Sequence, residues 1–577
     1  MSRAFDMRGW RLRVAGLPAW LRHYRRDQAL RDGVAGLVVS VLLVPQSLAY
    51  AMLAGLPPHV GMYASMLPLL AYAWLGSSMT LAVGPVAVAA LMTASALTPL
   101  AAPGSSEYLV LAVLLALLGG MQLLVLGLLR LGFVANLLSH PVISGFVSGS
   151  ALLIAIGQLK PLLGIGANGH TALELAASLL AQISHIEPAT AAVGSVAVVL
   201  LWGSRRLLPR GLAAAGLAPQ SADLLAKLAP MAVVLLSVLA VSVGELDVRH
   251  GVAVVGNIPQ GLPSLRLPWP TLEQVKLLFV PAFVIAIVGF VESVSVAQSL
   301  AIKRGERIDP DAELRGLGAG NLASALSGGF PVTGGFARSG VNFAAGAQTP
   351  MAGVISAALM ALVLLGLTGL FAKLPLAVLA ATIIMAVLNL VDLETPRHAW
   401  RYDRSDALAW AGTALGVLAL GVEAGIVIGI ALSAGVFLWR ASRPHVAVLG
   451  RVPGTEHFRN EQRFAVETPP RVLLLRVDEN LFFANIAAVL DRVQLELDHR
   501  PGTRHLVLVL SSVSHVDLTA LEALQRLHLE LQRRGVDLHL AEVKGPVLDR
   551  LERSAWLPLL ARSPFVSVHA AVQSLAA

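Results

Sequence analysis

Two ionisable side chains stand inside apolar stretches of this chain: Glu292 in Phe290-Val-Glu-Ser293, and Arg338 at the end of Gly328-Gly-Phe-Pro-Val-Thr-Gly-Gly-Phe-Ala-Arg338. A carboxyl group inside a membrane segment is costly unless it is paired or protonated, so its presence points to function. It can carry a coupled proton, bind Na⁺, or balance Arg338. A buried guanidinium needs an anionic partner, from substrate or from protein, unless it snorkels to water. Gln46 and Tyr50 lie four apart, on one helix face, and offer an amide and a hydroxyl to an anion. Neither Ser47 nor Ser293 has a neighbouring base. The chemistry indicated is anion binding with a coupling group at Glu292 and Ser293, not catalysis.

The elements that must position these groups are broken. Leu81-Ala-Val-Gly-Pro-Val-Ala-Val88 is interrupted by Gly84 and Pro85, and the segment ending at Arg338 by several glycines and Pro331. The prolines are 331 − 85 = 246 positions apart, and Gln46 and Glu292 are also 292 − 46 = 246 apart. One offset relating two pairs predicts an internal repeat. Interrupted helices at equivalent places of two repeats are the best sequence pointer to a transporter's substrate site.

Composition places these segments in a bilayer. Of 577 residues, 56% are hydrophobic and 14% charged, with mean hydropathy +0.72; soluble domains carry about 25% charged residues. Apolar runs such as Leu109–Leu131 and Val280–Ala301 approach the ~20 residues that span a bilayer. Counting shorter ones predicts about fourteen segments in a transmembrane domain over residues 34–439. The first apolar segment follows some thirty mostly polar residues, so no cleavable signal peptide is expected. With no cysteine, disulfides, iron–sulfur clusters and thiolate metal sites are excluded. The histidines at 140, 170, 185 and 250 are scattered without ligand spacing, so no metal and no cofactor is expected.

A sequence pI near 10.1 raises nucleic acid as a partner, but loop arginines explain it better, and none is expected. Arg8, Arg11, Arg13, Arg22, Arg25, Arg26 and Arg31 put the N-terminal segment, residues 1–33, in the cytoplasm by the positive-inside rule. The loops with Arg205, Arg206 and Arg210, with Lys303, Arg304 and Arg307, with Arg397, Arg401 and Arg404, and with Arg440 and Arg443 then alternate inward. An even number of spans returns the C-terminus to the cytoplasm.

After Trp439 the character changes. Residues 440–469 read as a linker. From 470 to 577 strand and helix patterns alternate: Arg471–Val477, His505–Leu510 and Val536–Ala541 as strands, Ile486–Leu497 and Leu518–Arg534 as helices. Asn485 and Asp517 stand where N-caps belong.

Val44-Pro-Gln-Ser-Leu-Ala-Tyr-Ala-Met-Leu-Ala-Gly-Leu-Pro-Pro58, Val60-Gly-Met-Tyr63, Val83-Gly-Pro-Val-Ala-Val88, Phe290-Val-Glu-Ser293 and Phe330–Arg338 together resemble the signature segments of the sulfate permease (SulP) family of anion transporters. Asp478–Asn485 and Ser514-His-Val-Asp-Leu-Thr-Ala520 resemble the STAS domain of sulfate transporters and anti-sigma-factor antagonists. The resemblance implies a polytopic α-helical membrane protein of two inverted seven-segment repeats, each giving four segments to a core and three to a gate. It also implies a homodimer and a cytoplasmic α/β STAS domain. The anion is then expected between the N-termini of the third and tenth segments, lined by Pro85, Val86, Ala87, Phe336, Ala337 and Arg338, with Gln46 and Tyr50 beside it. Val86 stands where several animal members carry phenylalanine, and Ala337 where many carry serine. In the tail, Leu518 replaces a phosphorylatable serine of the antagonists.

The function expected is secondary active transport of an inorganic oxyanion, sulfate first, by H⁺ symport or anion exchange, across a bacterial-type inner membrane. Alternatives are a Na⁺-coupled bicarbonate or dicarboxylate carrier, an uncoupled anion channel, and a sensor acting through the STAS domain.

Overall fold

The computed structural model describes residues 18–22, 24–136, 139–167, 169, 171–216 and 219–575; Arg8, Arg11, Arg13 and His170 lie outside the described residues. Contacts divide the chain into two units, Met1–Ser433 and Ala434–Ala577.

The principal helices of the apolar part are α1 (Arg26–Leu53), α2 (Leu67–Leu75), α3 (Ala87–Leu97), α4 (Ser106–Leu128), α5 (His140–Gly157), α6 (Pro188–Arg206), α7 (Pro219–Gly244), α8 (Leu272–Ile302), α9 (Pro310–Leu326), α10 (Phe336–Ala344), α11 (Met351–Leu362), α12 (Leu376–Val387), α13 (Arg404–Leu420) and α14 (Val422–Ala441). Among the described residues, seven helical stretches are long and apolar enough to cross a membrane, or eight if the bent pair Pro188–Arg206 and Leu208–Ala214 is one span. The expected fourteen therefore include segments too short to span alone. At 11 and 9 residues, α3 and α10 extend only about 14–17 Å, roughly half the hydrocarbon thickness.

Several helix starts follow from local sequence. Ser105 caps α4 by accepting from the Tyr108 N–H at 3.1 Å. Thr271 and Gln274 form a capping box at the start of α8, and Asp309 followed by Pro310 starts α9. Such caps satisfy backbone N–H groups that the helix leaves unpaired.

Packing sorts the helices into two clusters. In one, α4 lies along α8 and α9, α2 along α9 and α11, and α1 along α10 and α11. In the other, α5 lies along α13, and α6 along α7 and α12. Helix α1 also packs on α7 and α12, so it touches both clusters. Backbones meet closely where α4 crosses α9: a Cβ on Gly120 would lie 2.9 Å from the Gly318 carbonyl oxygen. Only a residue without a side chain fits there.

Three carboxylates pin this unit. Buried Glu313 accepts from the Tyr72 hydroxyl at 2.8 Å, from the Ser77 N–H and hydroxyl at 2.9 and 2.7 Å, and from the Ser78 N–H at 3.0 Å. Buried Asp32 accepts from the Gln348 and Thr349 N–H groups and the Thr349 hydroxyl. Asp392 accepts from Ser144 Oγ and the N–H groups of Glu394 and Thr395. Each is satisfied by several donors, as the burial of Glu313 and Asp32 requires.

The second unit holds a five-stranded sheet of order β4-β3-β5-β6-β7, from β3 (Val446–Arg451), β4 (Phe458–Asn460), β5 (Val472–Val477), β6 (His505–Val509) and β7 (Asp537–Ala541). β3 is antiparallel to both its neighbours, whereas β5, β6 and β7 run parallel. Helices α15 (Ile486–His499) and α16 (Leu518–Arg533) share one apolar core with the sheet, built around Leu473, Leu475, Leu506, Leu508, Val489 and Leu527. A C-terminal helix, Val568–Leu575, covers Val507 and Val509 on the other face.

Two expectations are corrected here. Residues 440–469, expected as a linker, supply β3 and β4. The run Val446-Ala-Val-Leu is short and polar-flanked, and only pairing with β5 makes it a strand. Asn485 occupies the N-cap position of α15 without capping it; its amide reaches back to the Ala441 and Asn480 carbonyls, and its oxygen accepts from the Phe482 N–H. Asp517 does cap α16, accepting from the Ala520 N–H at 2.8 Å.

Candidate functional site

Two buried dipeptides, β1 (Val83–Gly84) and β2 (Thr333–Gly334), pair antiparallel, Val83 opposite Gly334 and Gly84 opposite Thr333. The chains leave this ladder in opposite directions and each at once begins a short helix. Val86 is the N-cap of α3 and Gly335 that of α10, both in extended conformation and neither bearing a side-chain cap. The first intrahelical bonds are Ala90 N–H to Val86 O and Ser339 N–H to Gly335 O. The N–H groups of Ala87, Val88 and Ala89, and of Phe336, Ala337 and Arg338, are thus the orphan donors of two first turns. Each end also carries roughly half a positive charge.

The two ends are in contact. A Cβ on Gly335 would lie 2.7 Å from Val86 Cγ1, and one on Gly84 would lie 2.6 Å from Arg338 Nη1. The guanidinium therefore rests against the bare backbone of the first broken segment. Arg338 is 3% exposed, and both Nη atoms are buried without a hydrogen-bond partner. Among the described residues no ion pair within 4.0 Å joins it to Glu292 or to any other carboxylate. A static Arg338–Glu292 pair is not what the structure contains.

The remaining sequence candidates gather nearby. Tyr50 is buried and Gln46 half-buried on α1, which packs against α10. Tyr50, Glu292 and Arg338 are close enough to act on one another electrostatically. Glu292 is half-buried on α8. Val86 and Ala87 are buried, while Phe336 and Ala337 are exposed, so the rim of α10 is open where that of α3 is packed.

Two candidates have other roles. Ser293, expected beside Glu292 as a coupling group, is wholly taken up in fixing β2. Its Oγ bonds the Gly289 carbonyl and Thr333 Oγ1, both at 2.6 Å, and accepts from the Gly334 N–H at 2.8 Å. Pro85 lies between β1 and the Val86 cap, as expected, but Pro331 precedes β2 and stands five residues before α10. Helices α1 and α8 begin 272 − 26 = 246 apart, whereas the strands are 333 − 83 = 250 apart. The shared proline offset is therefore a coincidence, and a short insertion separates the repeats between first helix and break.

Other residues holding the site carried no local signal. Asn321 donates to the Val332 carbonyl at 2.8 Å and accepts from its N–H at 2.9 Å. Ser339 Oγ accepts from the Ala82 N–H, and the Asn342 amide donates to the Thr80 carbonyl. These bonds fasten α10 to the strand before α3 across about 260 residues of sequence. A cavity of about 500 Å³ lies beside the other end of α3, lined by Leu91, Ser95, Thr98, Ile154, Gln158 and others, and does not include the first turns.

Apolar helices, two of them half-length and meeting N-terminus to N-terminus at protein-enclosed backbone, define a polytopic membrane protein. Residues 30–413 match the model of the sulfate permease family and residues 463–571 that of the STAS domain. The chain belongs to the sulfate permease family. It is 34% identical over 571 residues to the Arabidopsis thaliana protein named sulfate transporter 4.1, chloroplastic, across 96% of this chain and 81% of that one. The fold is shared with the murine solute carrier 26 family member A9 anion transporter in the inward-facing state (TM-score 0.87, 24% identity, 100% of this chain and 95% of that). It is shared also with the transmembrane domain of a cyanobacterium bicarbonate transporter, BicA (TM-score 0.59, 24% identity, 70% and 98%). The relatives are transporters rather than enzymes.

Proposed function

We propose that this protein is a secondary active transporter of inorganic oxyanions, sulfate foremost, that works by alternating access with H⁺ symport or anion exchange. The observation that carries the reading is the Arg338 guanidinium, buried with two unpartnered Nη atoms against two uncapped helix N-termini. Backbone N–H groups and a planar fork match a tetrahedral oxyanion, which accepts from both at once. The naming of the Arabidopsis relative as a sulfate transporter supports sulfate within that class.

Pro85, Val86, Ala87, Phe336, Ala337 and Arg338 line the anion, Gln46 and Tyr50 complete it from α1, and Glu292 couples it to H⁺ or Na⁺. The domain limits we assign are 34–439 for transport and, with β3 and β4 counted in its sheet, 446–577 for STAS, the latter and the N-terminus in the cytoplasm of a bacterial-type inner membrane, with the molecule a homodimer. With α1–α4 and α8–α11 as core and the other helices as gate, one helix cluster moves against the other around a fixed site.

Purified protein in liposomes tests this reading with labelled sulfate, bicarbonate, chloride and fumarate under imposed pH and Na⁺ gradients. Sulfate is expected to accumulate above its equilibrium level under an inward proton gradient or by exchange. Uptake that never exceeds equilibrium would make the protein a channel. No uptake of any anion would leave a sensor.

A further inference from the structure

The second unit brings His505 together with two ligating side chains that follow it by 32 and 34 positions, Asp537 and His539. His505 and Asp537 are the first residues of β6 and β7 and register partners across that parallel pair. His539 lies two residues further along β7, and side chains two apart on a strand share a face. All three therefore project from the same side of the sheet.

The atoms converge as well as the faces. His505 Nδ1 is 3.3 Å from His539 Nε2 and 3.5 Å from Asp537 Oδ2. One ligating atom from each residue lies within 4.8 Å of the others. In a tetrahedral site with metal–ligand bonds of about 2.0–2.1 Å, ligand atoms are about 3.4 Å apart, and both short distances match that edge. A proton serves such a cluster poorly. A hydrogen on His505 Nδ1 can be given to His539 or to Asp537, and the other contact then lacks its donor. A cation among the three atoms satisfies all of them.

Burial supports a built site. His539 is 1% exposed and its Nδ1 has no hydrogen-bond partner. Its ring is held instead by packing, with the Phe565 ring at 5.8 Å. His505 is partly buried and Asp537 exposed, which leaves a path to solvent and room for a fourth ligand. One group opposes the cation: the Arg562 guanidinium acts on His539, although it also bonds Ser574 Oγ.

We infer that His505, Asp537 and His539 form a divalent transition-metal site, Zn²⁺ by ligand type, with water in the fourth position. Two imidazoles and a carboxylate suit Zn²⁺, and a three-ligand set with an open position is one of its standard arrangements. No local ligand spacing in the sequence marks this site, because the cluster exists only through the pairing of β6 with β7. Bound metal would tie the starts of two neighbouring strands together.

Chelator-treated full-length protein in detergent tests the site by calorimetric titration with Zn²⁺ and by the visible spectrum with Co²⁺. One saturable equivalent of Zn²⁺ and an intense tetrahedral Co²⁺ band are expected. His505→Ala and Asp537→Asn should each weaken binding by about 10- to 100-fold or more. Asp537→Asn keeps size and sits on the surface, so it separates lost ligation from misfolding. Absence of binding by the wild type, or binding that neither substitution weakens, would overturn the proposal.

Discussion

Substituting Arg338 by glutamine is expected to abolish sulfate uptake and to weaken sulfate binding at equilibrium by at least about 100-fold. The guanidinium carries the only basic side chain of the second broken segment and is buried with both Nη atoms unpaired. Hydrogen bonds to charged groups contribute about 1.5–3 kcal/mol each, so a bidentate pair is worth about 3–6 kcal/mol, and each 1.4 kcal/mol is a factor of ten. Two further outcomes distinguish a binding role from a structural one. Sulfate should raise the thermal midpoint of the wild type, through mass action on the folded state, and should not raise that of Arg338→Gln. Without sulfate the variant should melt no lower than the wild type, because it removes a buried charge whose Nη atoms no protein group bonds. Arg338→Lys should fall between the two, keeping charge but losing the planar fork. A variant that unfolds outright, or one that still binds sulfate tightly, would assign Arg338 to packing.

Glu292→Gln is expected to abolish proton-driven accumulation while leaving sulfate binding and exchange across the membrane. Glu292 is half-buried on α8, within electrostatic reach of Tyr50 and Arg338 yet not ion-paired to Arg338. Glu313, a fully buried carboxylate, is held by four donors, whereas no hydrogen bond or ion pair holds Glu292 among the described residues. A group that must gain and lose a cation needs that freedom. A neutral amide keeps the shape and cannot titrate. Uptake measured with an inward proton gradient and then with none separates the two activities. If the coupling cation is Na⁺, wild-type uptake depends on Na⁺ and the variant loses that dependence. Undiminished uphill uptake by Glu292→Gln under the proton gradient would remove Glu292 from coupling.

Much of this was legible in the sequence because it is local. A glycine–proline break in an apolar run and a lone charge in another announce themselves without partners, as Gly84, Pro85, Glu292 and Arg338 do. What pairing creates was not legible. The β1–β2 ladder is two residues long on each side and has no alternation to detect. Ser293 looks like a companion of Glu292 until Thr333 and Gly334 are seen to meet it. Pro331 matched Pro85 by an offset that holds for the first helices and drifts by four residues before the break. Likewise Val446-Ala-Val-Leu became an internal strand of the sheet only because β5 lies beside it, and the two histidines of β6 and β7 met only across that sheet.

Transport by this mechanism requires an oxyanion held between the first turns of α3 and α10 by backbone N–H groups and Arg338. Selenate, a tetrahedral dianion like sulfate, makes that position directly measurable by anomalous scattering from crystals grown with it. The predicted result is one selenium peak within hydrogen-bonding reach of the Ala87, Val88 and Phe336–Arg338 N–H groups and the Arg338 guanidinium, absent from crystals of Arg338→Gln. A peak elsewhere in the helical unit, or none at a selenate concentration that competes fully with sulfate uptake, would contradict it.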